Sequence, residues 1–168
     1  MPLWLIGMMG AGKTEVGARL AARLGCPFID IDHLVEAETG SPVAEIFDTE
    51  GEDGFRRREA AAIARAAAQP DAVVATGGGA VILPGNVELM RATGPVIWLQ
   101  ADPEVLAGRI GEDRDARPLL SGEPEARLGA LLAERLLAYQ GAADHVVVTD
   151  RIDPDQVVRL VEDLWNAS

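Results

Sequence analysis

Eight residues, Gly7-Met8-Met9-Gly10-Ala11-Gly12-Lys13-Thr14, restrict what this chain can become more than any other stretch. They read G-x-x-x-x-G-K-T. The apolar run Leu3-Trp4-Leu5-Ile6 precedes them, and residues 15–24 place Val16, Leu20 and Leu24 on one helical face. Strand, glycine loop and helix together form the setting of a phosphate-binding loop. Glycines let successive N–H groups curl into one concavity, and the helix start adds unpaired donors and a positive dipole end. In that setting Lys13 reaches the β- and γ-phosphates of a nucleotide, and the Thr14 hydroxyl ligates Mg²⁺. A plain glycine-rich turn is the structural alternative. Against it, Lys13 is the only lysine in a chain whose other 14 basic residues are arginine. A compact ammonium sits where phosphate chemistry asks for one.

The 168 residues are 48 % hydrophobic, enough for one α/β domain over 1–168. The formal net charge of −12 predicts no nucleic-acid partner and no anionic membrane surface. It also means that an anionic ligand must be met by local arginine, lysine and backbone donors. The single cysteine, Cys26, excludes an internal disulfide and fits a reducing compartment. With no membrane-length apolar run and no basic leader, the expectation is a soluble cytoplasmic protein.

Apolar runs alternate with helical patterns to the end, the sign of a parallel α/β sheet. Strands are expected at Leu3-Ile6, at Pro27-Phe28-Ile29 running on to Asp32, at Ala72-Ala75, at Pro95-Leu99 and at His145-Thr149. Between them, helices are expected over 33–39, from Pro42 (with Ser41 as cap) to near Gly51, over 53–69, 86–92, 102–110 and 125–139, and from Pro154. Residues 111–124 are long, polar and charged, which in a compact domain suggests a lid.

Chemistry collects at the strand ends. Asp30 and Asp32, two apart, point the same way if the strand continues. They are then a carboxylate pair beside Mg²⁺, or, on the structural alternative, a helix cap and a solvated turn acid. Phe55-Arg56-Arg57-Arg58-Glu59 is either a solvated helix face or a source of one or two cleft arginines. Gly77-Gly78-Gly79 suggests a ligand lying against bare backbone. Arg117 in the expected lid and Arg135 in the next helix are further cations.

Taken in order, these motifs resemble the shikimate kinase family of nucleoside-monophosphate-kinase-like P-loop kinases. The resemblance rests on Gly7 to Thr14, Phe28-x-Asp30-x-Asp32, Ile46-Phe47 with Gly51-Glu52-x-x-Phe55-Arg56, Gly77-Gly78-Gly79, Arg117-Pro118-Leu119-Leu120 and Arg135-x-x-x-Tyr139. It implies a three-layer α/β/α sandwich, a five-stranded parallel sheet of order 2-3-1-4-5, a substrate segment at 33–63 and a lid at 111–124. It also implies ATP-dependent phosphorylation of shikimate with Mg²⁺, and a monomer is expected. Lys13, Asp32 and Arg117 would be catalytic. ATP would meet Gly10, Ala11, Gly12, Lys13, Thr14, Glu15, Arg109, Arg117 and Pro154. Shikimate would meet Asp32, Arg56, Gly77, Gly78, Gly79 and Arg135, with Phe47, Phe55, Glu59, Pro118 and Leu119 as walls. Thr14 would hold Mg²⁺ directly, Asp30 and Asp32 through water. The chain has Gln140 where the family pattern has arginine. A kinase for another polyol acid, such as gluconate, would share the loop and fold. A guanine-nucleotide switch would need an Asn-Lys-x-Asp reader, which a chain with no lysine after Lys13 lacks.

Overall fold

The first strand, β1 (Leu3–Ile6), is wholly apolar, and all four of its residues are closed to solvent. Apolar side chains on both faces suit a strand in the middle of a parallel sheet. The structure, a computed structural model describing residues 1–110 and 123–168, places β1 there. It pairs in parallel with β3 (Val73–Ala75) on one side and β4 (Val96–Gln100) on the other. Outside these lie β2 (Phe28–Asp30) and β5 (His145–Val148), giving the order β2-β3-β1-β4-β5 expected from the resemblance.

Seven helices surround the sheet among the described residues: α1 (Lys13–Leu24), α2 (Ile31–Thr39), α3 (Val43–Ala67), α4 (Pro84–Thr93), α5 (Pro103–Ile110), α6 (Pro124–Ala142) and α7 (Pro154–Asn166). Helices α1 and α7 pack together in one layer. In the other, a 3₁₀ turn (Ala80–Ile82) joins α3, α4 and α6. Helix α7 starts as its sequence indicates. Asp153 and Gln156 form a reciprocal capping box, with Pro154 in the first turn.

Two expectations change. The second strand does not run on to Asp32. It ends at Asp30, whose side chain accepts from the N–H groups of Asp32 and His33 and caps α2, so Asp32 lies in the first helical turn. The acid-for-cap preference outweighed continuation of the strand. Nor does Ser41 cap the next helix. The cap position is Pro42, and the Val43 N–H is taken by the Glu36 carboxylate of α2 at 2.9 Å. Helices 43–50 and 53–67 meet at Gly51, whose φ of 72° and ψ of 178° break the α3 ladder where the sequence put a boundary. No described helix is long and apolar enough to cross a membrane.

Candidate active site

The loop after β1 is held from beneath. A Cβ on Gly7 would sit 2.4 Å from the Leu99 carbonyl oxygen, and one on Gly10 would sit 2.9 Å from that of Leu106. Gly10 and Gly12 take φ of 80° and 93°, which turns the backbone into the start of α1. Lys13, 8 % exposed, folds back over the loop and donates to the carbonyls of Gly7 and Met8 at 2.7 and 2.8 Å. Its ammonium therefore lies across the mouth of a concavity lined by backbone.

Beside it, the Thr14 hydroxyl donates to Asp30 Oδ2 at 2.7 Å. Committing that proton to Asp30 leaves the Thr14 oxygen lone pairs for a cation. Asp30 is thus the helix cap of one reading of the sequence, and it also accepts from Thr14, the side chain from which a metal ligand is expected. Asp32 Oδ1, shut from solvent, has no partner among the described residues. Burial and the nearby Asp30 charge push the Asp32 carboxyl above its usual range, against the pull of Lys13 and Arg56. Hard oxygen donors of this kind fit Mg²⁺. Among the described residues no group of three or more acidic, His or Cys side chains is placed to hold a metal ion.

Across the cleft lies a cationic wall. Arg56, on the inner face of α3, donates to Glu59 Oε2 at 2.7 Å and to Glu52 Oε1 at 3.2 Å. Of the three adjacent arginines only Arg56 is buried, while Arg57 and Arg58 are exposed. Burial works against the Arg56 charge, and Glu59 and Glu52 more than offset it, so its pKa lies above the ordinary value. Glu59 is wholly buried, and that burial holds its carboxyl above the usual range in spite of Arg56. Arg135 enters from α6 and is 5 % exposed.

The three glycines are what let these groups converge. A Cβ on Gly77 would fall 2.5 Å from Glu59 Oε1 and 2.8 Å from Asp32 Oδ1, and one on Gly79 would fall 2.1 Å from Arg56 Nη2. Among the described residues, four buried polar atoms are left without hydrogen-bond partners: Asp32 Oδ1, Glu59 Oε1, Arg56 Nε and Arg135 Nη1. Unpaired buried polar atoms are costly, and such a cluster marks a place prepared for a polar ligand. All four residues border or back one cleft of about 890 Å³ that also reaches Gly10, Gly12, Lys13, Thr14 and Glu15.

The sequence-derived residues gather here with few exceptions. Asp30, Asp32, Arg56, Gly77, Gly78, Gly79, Arg109 and Arg135 line the cleft, as do Phe47 and Phe55, whose rings meet at 4.8 Å. Ala11, within the loop, is buried, and neither it nor Pro154 lines the cleft. Arg117, Pro118 and Leu119, with the lid core 111–122, lie outside the described residues. Two supports escaped the sequence reading. Thr149 anchors Arg109, accepting at its hydroxyl (2.9 Å) and its carbonyl (2.5 Å). Tyr139, noted only as part of a motif, donates to the Gly78 carbonyl. A polar side chain in an otherwise apolar strand end or helix face was the only available signal for either.

The comparisons with known proteins agree with this geometry. A shikimate kinase family model matches residues 9–164. Shikimate kinase of Symbiobacterium thermophilum is 54 % identical over 160 residues, covering 94 % of this chain and 92 % of the relative. That of Thiobacillus denitrificans is 50 % identical over 150 residues, 89 % and 81 % of the two chains. The solved shikimate kinase from Acinetobacter baumannii, in complex with shikimate, superposes with a TM-score of 0.94 at 36 % identity, over 99 % of this chain and 93 % of that one. With a phosphate loop, an acid-lined cationic cleft and this sheet order in one chain, the protein belongs to the shikimate kinase family.

Proposed function

We propose that the residues of this cleft divide the phosphorylation of shikimate between them in the way their geometry suggests. The protein catalyses ATP-dependent conversion of shikimate to 3-phosphoshikimate, a step of the shikimate pathway of aromatic amino acid biosynthesis. The observation that carries the division of roles is the cluster of four buried atoms, unpartnered among the described residues, on three residues that line the cleft and on Glu59 behind them. Arg56 and Arg135 take the carboxylate of the acid, and the Gly77-Gly78-Gly79 backbone takes its ring edge. Asp32 Oδ1 accepts from the reacting hydroxyl, orients it and receives its proton. Gly10, Ala11, Gly12, Lys13, Thr14 and Glu15 cradle the phosphates, while Arg109 and Pro154 lie on the base side. Thr14 would hold Mg²⁺ directly and Asp30 and Asp32 through water, where the ion would supply positive charge against the phosphates.

Phosphoryl transfer needs little covalent help, so positioning and charge carry the rate. Lys13 supplies one fixed positive charge, and Arg117, on a lid at 111–124, supplies another. The substrate segment 33–63 carries Phe47, Phe55, Arg56 and Glu59. The net charge of −12 supports a soluble cytoplasmic protein without nucleic-acid or membrane partners, and we take it to act as a monomer. The test is ADP release that depends on added shikimate. Gluconate should not replace it, and the methyl ester of shikimate should be a poor substrate. If the ester serves as well as the acid, Arg56 and Arg135 do not hold a carboxylate.

A further inference from the structure

The backbone of the glycine stretch has no side chains of its own to hold it, yet each of its three carbonyls is fixed. Gly77 O accepts from Ala80 N at 3.2 Å and Gly79 O from Ile82 N at 3.0 Å, both within the 3₁₀ turn. Gly78 O accepts from the Tyr139 hydroxyl at 2.5 Å, a contact spanning 61 residues of sequence. Tyr139 is itself immobilised. It is closed to solvent, and its ring stacks on Trp98 in the middle of β4, with centroids 5.2 Å apart and planes 10° apart. It stands one turn after Arg135 on α6, and that guanidinium lies beside its hydroxyl.

Gly78 and Gly79 line the cleft, whereas Tyr139 does not. The Gly78 carbonyl therefore points away from the ligand space. The Gly78–Gly79 peptide is trans, as are all those described, so its N–H, carried by Gly79, points the opposite way, toward that space. Gly79 lies against the Arg56 guanidinium. From this arrangement we propose that Tyr139 is a positioning residue for the acid substrate. Its hydroxyl pins the Gly78–Gly79 peptide so that a backbone donor faces the cleft beside Arg56, and its place on α6 keeps that peptide in register with Arg135. Burial pushes the Tyr139 phenol far above its ordinary pKa, so it remains a protonated donor across the working pH range. The proposal rests on shikimate being the phosphoryl acceptor.

The decisive variant is Tyr139→Phe, which keeps the ring on Trp98 and removes only the donor. Freed of its pin, the peptide can turn. Losing a hydrogen bond of this kind should raise the shikimate KM roughly tenfold, while the ATP KM stays within about twofold and kcat at saturation falls less than the shikimate affinity. A merely structural role would move both KM values together or neither, and either result overturns the proposal. A second measurement does not depend on the variant folding. Tyr139 is the only tyrosine, so 3-fluorotyrosine labelling gives one ¹⁹F resonance. Shikimate alone should shift it, and ATP with Mg²⁺ alone should shift it much less. A resonance indifferent to shikimate would overturn the proposal. The unaltered enzyme in the same assay separates the two ideas: if it does not release ADP with shikimate, the acceptor is wrong, and if it does while Tyr139→Phe behaves like it, only the positioning role is wrong.

Discussion

Arg56 and Glu59 stand one helical turn apart with Nη1 and Oε2 at 2.7 Å, and the Glu59 side chain is wholly closed to solvent. Arg56 also reaches Glu52, which fixes the pair within α3, while Arg56 Nε and Glu59 Oε1 have no partner among the described residues. An ion pair this deep costs desolvation, and its benefit here is orientation.

Removing one member leaves the other charge stranded. Arg56→Ala should lower stability by about 3–5 kcal/mol and raise the shikimate KM at least about tenfold. Replacing both, as Arg56→Met with Glu59→Leu, should recover much of the stability and none of the affinity. Urea unfolding and steady-state kinetics on the same preparations give both numbers. Normal shikimate affinity in Arg56→Ala would remove this residue from the clamp.

The pH behaviour follows from Asp32. Its folded-state pKa is raised, chiefly by burial, so the native state binds this proton more tightly than the unfolded chain does. Stability therefore falls as pH rises from the unfolded carboxylate value of about 3.9 through the raised folded value. Asp32→Asn should be more stable than the unaltered protein at neutral pH, and the difference should vanish in acid. The same substitution should cut kcat by about 10²–10⁴-fold, and it should abolish an acid limb in kcat/KM lying above the ordinary carboxylate range. Retention of half the normal rate would place the base elsewhere.

The glycine stretch offers a steric test. A methyl group on Gly79 would meet Arg56 Nη2, which is already committed to Glu52. Gly79→Ala should raise the shikimate KM about as much as loss of one charge-assisted hydrogen bond, roughly tenfold, and leave the ATP KM alone. Gly85→Ala is the control, since nothing lies within 4 Å of its added carbon, and it should change neither constant.

The sole lysine makes the phosphate loop separately addressable. An amine-acylating reagent should modify the exposed α-amino group of Met1 first and Lys13 slowly, because Lys13 is tied to two loop carbonyls. ATP with Mg²⁺ should stop the Lys13 reaction and spare that of Met1. Intact-mass and peptide analysis resolves the two sites, and equal Lys13 labelling with and without nucleotide would refute phosphate binding there.

Much of this site was legible because its chemistry is local in sequence. The phosphate loop is contiguous, and strand, glycines and helix follow one another, so spacing alone predicted Lys13 and Thr14. Asp32 does line the cleft, but from the first turn of a helix capped by Asp30 rather than from a continuing strand, because the capping preference of Asp30 ends the strand there. Which of Arg56, Arg57 and Arg58 faces inward needed the helix phase, and the phase depends on the break at Gly51. The links from Tyr139 to Gly78 and from Thr149 to Arg109 join residues 61 and 40 positions apart. Periodicity carries no information about such pairs.

The two halves of the site also differ in how much chain they require. The phosphate loop occupies residues 7–14, directly after β1, whereas the proposed acid clamp draws on α2, α3, the glycine stretch and finally Arg135 of α6. Chains are made from the N-terminus onward. On a ribosome, then, every residue of the phosphate loop is present long before the clamp can close, and acceptor recognition waits for the last third of the polypeptide. A product truncated before α6 would carry the loop without the means to hold an acceptor.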